Sequence, residues 1–254
     1  MKTKSRKITL GTKEWADSNV NCYFGCSNDC RYCYAKKMAI RFKRKTEETW
    51  KFMEPNQKAI EKGYSKRKGR IMFPTSHDIT MENLNGCLNV LKKLLDADNE
   101  ILITTKPKLS CVKIICNSLF KKKDLIQFRF TITSINNELL SFWEPNAPSF
   151  EERFDALKHA YKIGYKTSIS IEPFLDENPF HLVDILIPYT TESIWIGKMN
   201  YIQVGDLLPE ERLNFNLIRF INRKENLLKI LKISKKYNNN LIKLKDSIIN
   251  YLSE

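Results

Sequence analysis

Residues 25–35 read GCSNDCRYCYA. The stretch sets Cys26, Cys30 and Cys33 in a C-x3-C-x2-C spacing on a loop that Gly25 opens and the aromatics Tyr32 and Tyr34 close. A closed tetrahedral zinc site takes four ligands. Three thiolates instead suit three irons of a 4Fe-4S cluster, leaving the fourth iron without a protein ligand. Cys22 could add a fourth thiolate, but zinc knuckles prefer paired C-x2-4-C blocks separated by a spacer. Cys22 also falls inside the first predicted strand, before Gly25 starts the loop.

Outward from this loop, β-rich runs alternate with stretches of helical period. Strands are predicted at 18–24, 70–75 (RIMFPT), 100–105 (EILITT), 126–134 (IQFRFTITS), 166–173 (KTSISIEP) and 192–197 (ESIWIG). Helices are predicted at 34–53, 80–96, 109–119, 149–163 and 178–188, the fourth opening on a capping box of Ser149 and Glu152. Successive βα units require crossovers and therefore a parallel sheet. The pattern predicts an α/β fold, a partial (βα)6 TIM-like barrel over 18–205. A basic lead-in over 1–17 precedes it, and a C-terminal extension over 206–254 (a long amphipathic helix, a short strand and a last helix) packs on it. Chemistry in such barrels sits at the carboxyl ends of the strands. That rule points to Cys26 to Cys33, Thr75 to Asp78, Thr104 to Lys106, Thr133 to Asn136, Glu172, and Lys198 to Asn200.

Composition narrows the class. The chain has 254 residues, 42% hydrophobic and 28% charged, enough for one sizeable core. No apolar run reaches the ~20 residues of a membrane span, and the start MKTKSRKITL lacks the apolar core of a signal peptide, so a cytoplasmic protein with no membrane partner is expected. Seven cysteines, four of them between 22 and 33, suit reduced thiols and a metal better than disulfides. Cys22, Cys87, Cys111 and Cys116 read as small buried hydrophobes. Basicity is local: residues 1–70 hold 19 Lys and Arg against 7 Asp and Glu, which is +12 of the net +14. Arg41, Lys43, Arg44, Arg67 and Arg70, in the runs RFKRK and KRKGR, form a candidate nucleic-acid patch; the alternative is a solvated face of a lysine-rich chain.

The C-x3-C-x2-C loop, with Tyr32 before its last cysteine, resembles the hallmark of the radical SAM superfamily. From Arg70 to Phe174 the chain is similar to the spore photoproduct lyase branch: SHDIT after the second strand, ITTK at the end of the third, then FRFTITS and FWEPNAPSFEERFDALKHAYKIGYK. The resemblance implies that S-adenosylmethionine chelates the open iron. One electron then enters the sulfonium, and a 5'-deoxyadenosyl radical abstracts hydrogen from the substrate. It implies Lys106 and Ser134 at the methionyl carboxylate, and His77 and Asp78 near the amino group or ribose. Tyr32 joins this cofactor set, and the electron donor is flavodoxin- or ferredoxin-like. Glu172, a carboxylate within the apolar run SISIEPF, is a candidate catalytic group, because buried carboxylates need partners. Glu144 and Pro145 read as shaping a turn.

One residue departs from the branch pattern. Where the branch carries a hydrogen-returning cysteine this chain has Ser76, whose O–H bond is too strong for that step, so direct spore photoproduct repair is not expected. A nucleic-acid or nucleotide substrate stays open. No cysteine follows Cys116, which argues against the auxiliary-cluster enzymes that modify peptides. The competing class is a non-catalytic, metal-stabilised nucleic-acid-binding module, with zinc or an iron-sulfur centre. A monomer is expected.

Overall fold

A computed structural model of the chain describes residues 11–203, 205, 207–237 and 240–253; the first ten residues of the basic lead-in lie outside the described residues. The β-rich runs become strands where predicted, trimmed at their ends. The predicted first strand is divided into β1 (Ser18–Asn19) and β2 (Tyr23–Phe24), after which the cysteine loop leads into α1 (Tyr34–Arg41). Next come β3 (Glu54–Pro55), α2 (Gln57–Glu61), β4 (Ile71–Phe73), α3 (Leu84–Asp96), β5 (Ile101–Thr105) and α4 (Leu109–Ser118). The second half holds β6 (Ile126–Thr131), α5 (Asn137–Trp143), α6 (Phe150–Lys162), β7 (Lys166–Ile171), α7 (Phe180–Leu186) and β8 (Ile194–Ile196). The tail is α8 (Arg212–Ile221), α9 (Lys224–Ser234), β9 (Ile242–Leu244) and α10 (Asp246–Ser253).

Seven of these strands form one parallel sheet in the order β1-β4-β5-β6-β7-β8-β9, while β2 and β3 pair antiparallel beside it. The tail therefore supplies a seventh parallel strand rather than packing on a finished barrel of six. Outward-facing Ile71, Phe73, Ile101, Ile103, Phe128, Phe130, Ile169, Ile171, Ile194 and Ile196 meet the helices in one buried core. Each such side chain contributes roughly 1.5–3 kcal/mol on burial. The inner face is polar: Gln127 and Arg129 of β6 both donate to Ser168 Oγ of β7, at 2.9 and 3.2 Å. Hence FRFTIT and SISI alternate, where strands covered on both faces by helices would read as continuous apolar runs.

The sheet curls. Laid flat, seven strands would put β1 and β9 almost 30 Å apart at about 4.8 Å per strand gap. Yet Glu14, just before β1, pairs with Lys245, just after β9, at 2.8 Å. Trp15 stacks edge-on against Trp195 of β8, 6.1 Å between ring centres, and Arg129 and Lys245 lie over its ring at 4.5 and 4.2 Å. The segment Gly11–Trp15 thus fills the space between the two edges of the sheet.

Three helix expectations are corrected. The helix expected over 34–53 stops at Arg41, because Lys43 enters the left-handed region (φ 54°), with Arg44 N donating to Ala39 O and Lys43 N to Ile40 O at 2.8 and 2.9 Å, the paired bonds of a Schellman end. Ser149 caps α6 by accepting from Glu152 N at 3.4 Å, but the Glu152 carboxylate accepts from Leu109 N at 3.1 Å instead of closing the box, and so ties α6 to α4. The long tail helix breaks at Asn222, whose Nδ2 donates to Ile218 O at 2.9 Å. No helix among the described residues is long and apolar enough to cross a membrane.

Candidate active site

The cysteine loop follows β2 and is braced on two sides. Gly25 has φ 84°, and a Cβ there would stand 2.6 Å from the carbonyl oxygens of both Trp50 and Phe52, so glycine is required by conformation and by space. Cys26 N donates to Trp50 O at 3.0 Å on that side. On the other, Arg31 N donates to Trp143 O at 2.9 Å, and Asn146 Nδ2 to Ser27 O at 3.0 Å. Cys33 is the N-cap of α1 and accepts Lys36 N at its sulfur, 3.4 Å away. The positive end of the helix dipole therefore points at this thiol.

The three thiols gather at one place, Cys30 buried and Cys26 and Cys33 half-buried. Burial pushes the Cys26 thiol up to about 12, and the Asp78 and Cys33 charges add to this. Cys30 is pushed well above the ordinary thiol range, again first by burial, and Cys33 is raised by burial. Backbone N–H groups at Asn28 and at Ala35 and Lys36 aim at the Cys26 and Cys33 sulfurs, and the Lys106 charge favours ionisation of all three thiols. Such a donor set fits thiolates carrying negative charge. Among the described residues no three His, Cys, Asp or Glu side chains converge as the ligands of a single metal ion do; a cubane is wider and keeps its three thiolates farther apart. Cys22 is not with them. It lies in the hydrophobic core, its sulfur 3.8 Å from Cys87 Sγ and 3.9 Å from His77 Nε2.

Lys106, at the exit of β5, reaches this site with its ammonium 5.5 Å above the Tyr32 ring and 4.0 Å from Glu144. Burial alone would lower its pKa, but the charges of Cys30, Glu144 and Asp78 more than reverse that and leave it raised. Asp78 is also here, with its acceptors taken. Its carboxylate receives Asn28 Nδ2 (2.7 Å), Ile79 N (2.7 Å), Lys106 N (2.9 Å) and the Thr105 hydroxyl, which fills its four lone-pair positions. Asn28, buried in the cysteine loop, is left with Oδ1 as an acceptor that no donor among the described residues meets.

The remaining candidates disperse around the mouth. His77 turns into the core between Tyr23 and Phe73, Nε2 accepting from Cys22 N at 3.2 Å and Nδ1 3.0 Å from Asp78 O. Ser134, at the exit of β6, donates to Asp176 Oδ1 at 2.5 Å. Asp176 lines a cleft of about 450 Å³ with Ile135, His181, Lys229 and Ile233. Ser76 N donates to Asn21 Oδ1 at 2.9 Å. Glu172 opens toward the lumen and lies so close to Gly197 that a Cβ there would stand 2.7 Å from its Cγ. Burial raises its carboxyl, an effect that Lys245, 3.8 Å away, only partly offsets.

The basic residues do not form one patch at the mouth. Arg41, Lys43 and Arg44 end α1 and are exposed. Arg67 reaches Ser18 Oγ and Asn19 O at 3.4 Å, and Arg70 immediately precedes β4, which places this pair at the opposite end of the strands from the cysteine loop. Lys45 is buried and spent on Glu54, 2.5 Å away.

Sequence reasoning passed over Glu144 as a turn residue. It is 1% exposed, accepts from Thr133 Oγ1 at 2.8 Å and from the Tyr32 hydroxyl, and pairs with Arg153 at 2.5 Å. A signal was present in Arg153, a charged residue on the apolar face of α6 with Ala156, Leu157 and Ala160.

A family model described as the radical SAM superfamily matches residues 20–186. An uncharacterised protein of Methanocaldococcus jannaschii is 30% identical over 189 residues, covering 73% of this chain and 70% of that protein. Among solved structures, a spore photoproduct lyase variant with a dinucleoside spore photoproduct superposes with a TM-score of 0.56 at 13% identity, over 89% of this chain and 80% of the other. Streptococcus suis SuiB bound to S-adenosylmethionine superposes with a TM-score of 0.53 at 13% identity, over 90% of this chain, which spans half of SuiB's length. At these identities the likeness is one of fold.

Proposed function

The chain belongs to the radical SAM superfamily, and from that premise we propose that Cys26, Cys30 and Cys33 each bind one iron of a 4Fe-4S cluster whose fourth iron takes S-adenosylmethionine. When bound, this pair of cofactors supplies one electron to the sulfonium and a 5'-deoxyadenosyl radical for hydrogen abstraction. The carrying observation is the trio of neighbouring thiols faced by backbone N–H donors and the Lys106 ammonium, with Cys22 turned into the core.

The chain's own groups then divide the work. Lys106 supplies the cation for a methionyl carboxylate. Ser134, whose hydroxyl donates to Asp176 and accepts from Asn136 N, fixes the β6 exit, and would meet the same end of the ligand by turning its O–H from Asp176 to the carboxylate. Asn28 Oδ1 is an acceptor that the ligand's amino group would satisfy. Asp78 and His77 act behind these groups: Asp78 ties the cysteine loop to the β5 exit, and His77 holds the start of the loop through Cys22 N. Tyr32 shields the cluster side of Lys106. Glu172 is the substrate-facing group in this reading; its raised carboxyl keeps a proton more readily than an exposed one and can donate it to a bound oxygen or nitrogen.

The proposed substrate is a nucleic acid or nucleotide, approached along the basic end of α1, and the electron donor is a flavodoxin- or ferredoxin-like protein. The spore photoproduct lyase structure holds a dinucleoside photoproduct. With Ser76 in this chain, hydrogen return from that position is not part of the proposal. Anaerobic incubation of reconstituted, reduced protein with S-adenosylmethionine tests the reading: 5'-deoxyadenosine and methionine are expected, and a colourless zinc protein that leaves S-adenosylmethionine intact would overturn it.

A further inference from the structure

Beneath the cysteine loop lies a line of charge that neither the motif nor the proposed reaction accounts for. Arg153, fully buried on α6, spends Nε on Pro148 O (2.8 Å), Nη1 on Thr131 O (3.3 Å) and Nη2 on Glu144 Oε2 (2.5 Å). The other carboxylate oxygen of Glu144 receives Thr133 Oγ1 and the Tyr32 hydroxyl, and stands 4.0 Å from the Lys106 ammonium. Tyr32 sits between the second and third cysteines. Burial pushes the Glu144 carboxyl up, and Arg153, Lys106 and Tyr32 together bring it below the ordinary carboxylate value. The residue is thus an anion whose two oxygens face opposite ways, one toward the scaffold and one toward the loop.

We propose that Glu144 is a positioning residue that holds Tyr32 and Lys106 against the three-cysteine loop and cancels the Arg153 charge, so that of the two cations only the Lys106 ammonium, beside the hydrogen-bonded Asp78 carboxylate, acts on the bound cofactors. The proposal rests on the cluster reading above and adds to it a charge count. In a dry interior such charges act with little screening, and cluster potentials respond to net charge nearby. Glu144→Gln removes one negative charge and leaves the Arg153 charge unbalanced, which favours the reduced, more negative form of the cluster. Glu144→Gln combined with Arg153→Met removes a neutral pair and restores the wild-type charge balance. Replacing a buried pair by uncharged groups of similar size is often tolerated where removing one partner is not.

The test is the midpoint potential of the reconstituted cluster in the wild-type protein, E144Q and the double variant. The potential should rise in E144Q and return near the wild-type value in the double variant; equal potentials in all three would overturn the proposal. Glu144→Asp keeps the charge and withdraws the carboxylate by one methylene, so it serves if E144Q does not fold. Its potential should stay near wild type while S-adenosylmethionine affinity falls about tenfold, the equivalent of one charge-assisted hydrogen bond; unchanged affinity would overturn the positioning role. Failure of wild-type protein to take up iron would overturn the functional reading, and this inference with it, whereas uptake with potentials indifferent to Glu144 overturns the inference alone.

Discussion

Gly25 shows how much of the site rests on single residues. Its φ of 84° costs a non-glycine residue about 1–2 kcal/mol, and an added methyl would meet two backbone carbonyls that cannot swing aside as a side chain can. Gly25→Ala is therefore expected to lose at least that much stability and to displace Cys26, lowering iron per chain. Urea unfolding and iron analysis check this, and full iron content in the variant would contradict it. The cysteines and Gly25 were legible in the sequence because their relation is local, a spacing within a dozen residues. Glu144 was not, because its partners Tyr32, Lys106, Thr133 and Arg153 come from four separate elements, and only folding brings them together. Lys106 was legible through its strand-end position. The saturation of Asp78 was not, since counting its acceptors requires knowing where Asn28 and Thr105 arrive.

Among the elements, α1 differs most from its sequence pattern. The lysine-rich stretch after Arg41 continues with acceptable helix formers, and nothing in it announces that Lys43 will take a left-handed conformation usually given to glycine. The shorter helix exposes Arg41, Lys43 and Arg44 at its end, while Arg67 and Arg70 belong to the far rim of the sheet. This division sharpens the nucleic-acid expectation. With three phosphate contacts, the log-log slope of affinity against salt should be about −3 on duplex and about −2 on single strands, from ~0.9 and ~0.7 per contact. Neutralising Arg41, Lys43 and Arg44 should flatten the slope, and neutralising Arg67 and Arg70 should leave it. An anisotropy titration reads both; no binding at low salt to duplex, single-stranded or transfer RNA would turn the substrate search to small molecules and proteins.

At the scale of the whole molecule, the alternation of strands and helices made the parallel sheet legible, and the tail's short strand with it, but not that this strand joins the sheet beside β8, nor that the segment before β1 closes it. Trp15 carries much of that closure, packed between Arg129, Lys245 and Trp195. Trp15→Ala should cost about 3 kcal/mol and admit water to the polar lumen beside Glu172; an unchanged urea midpoint would show that the segment does not hold the two edges together. The curled sheet in turn presents the cysteine loop and Lys106 at one end, and the account as a whole stands on what that loop binds. Electron paramagnetic resonance of anaerobically reconstituted, reduced protein tests this most directly. The account predicts a reduced 4Fe-4S signal that changes on adding S-adenosylmethionine, disappears in Cys26→Ala, Cys30→Ala and Cys33→Ala, and persists in Cys22→Ala. A signal that survives Cys30→Ala and vanishes in Cys22→Ala, or zinc in place of iron, would contradict it.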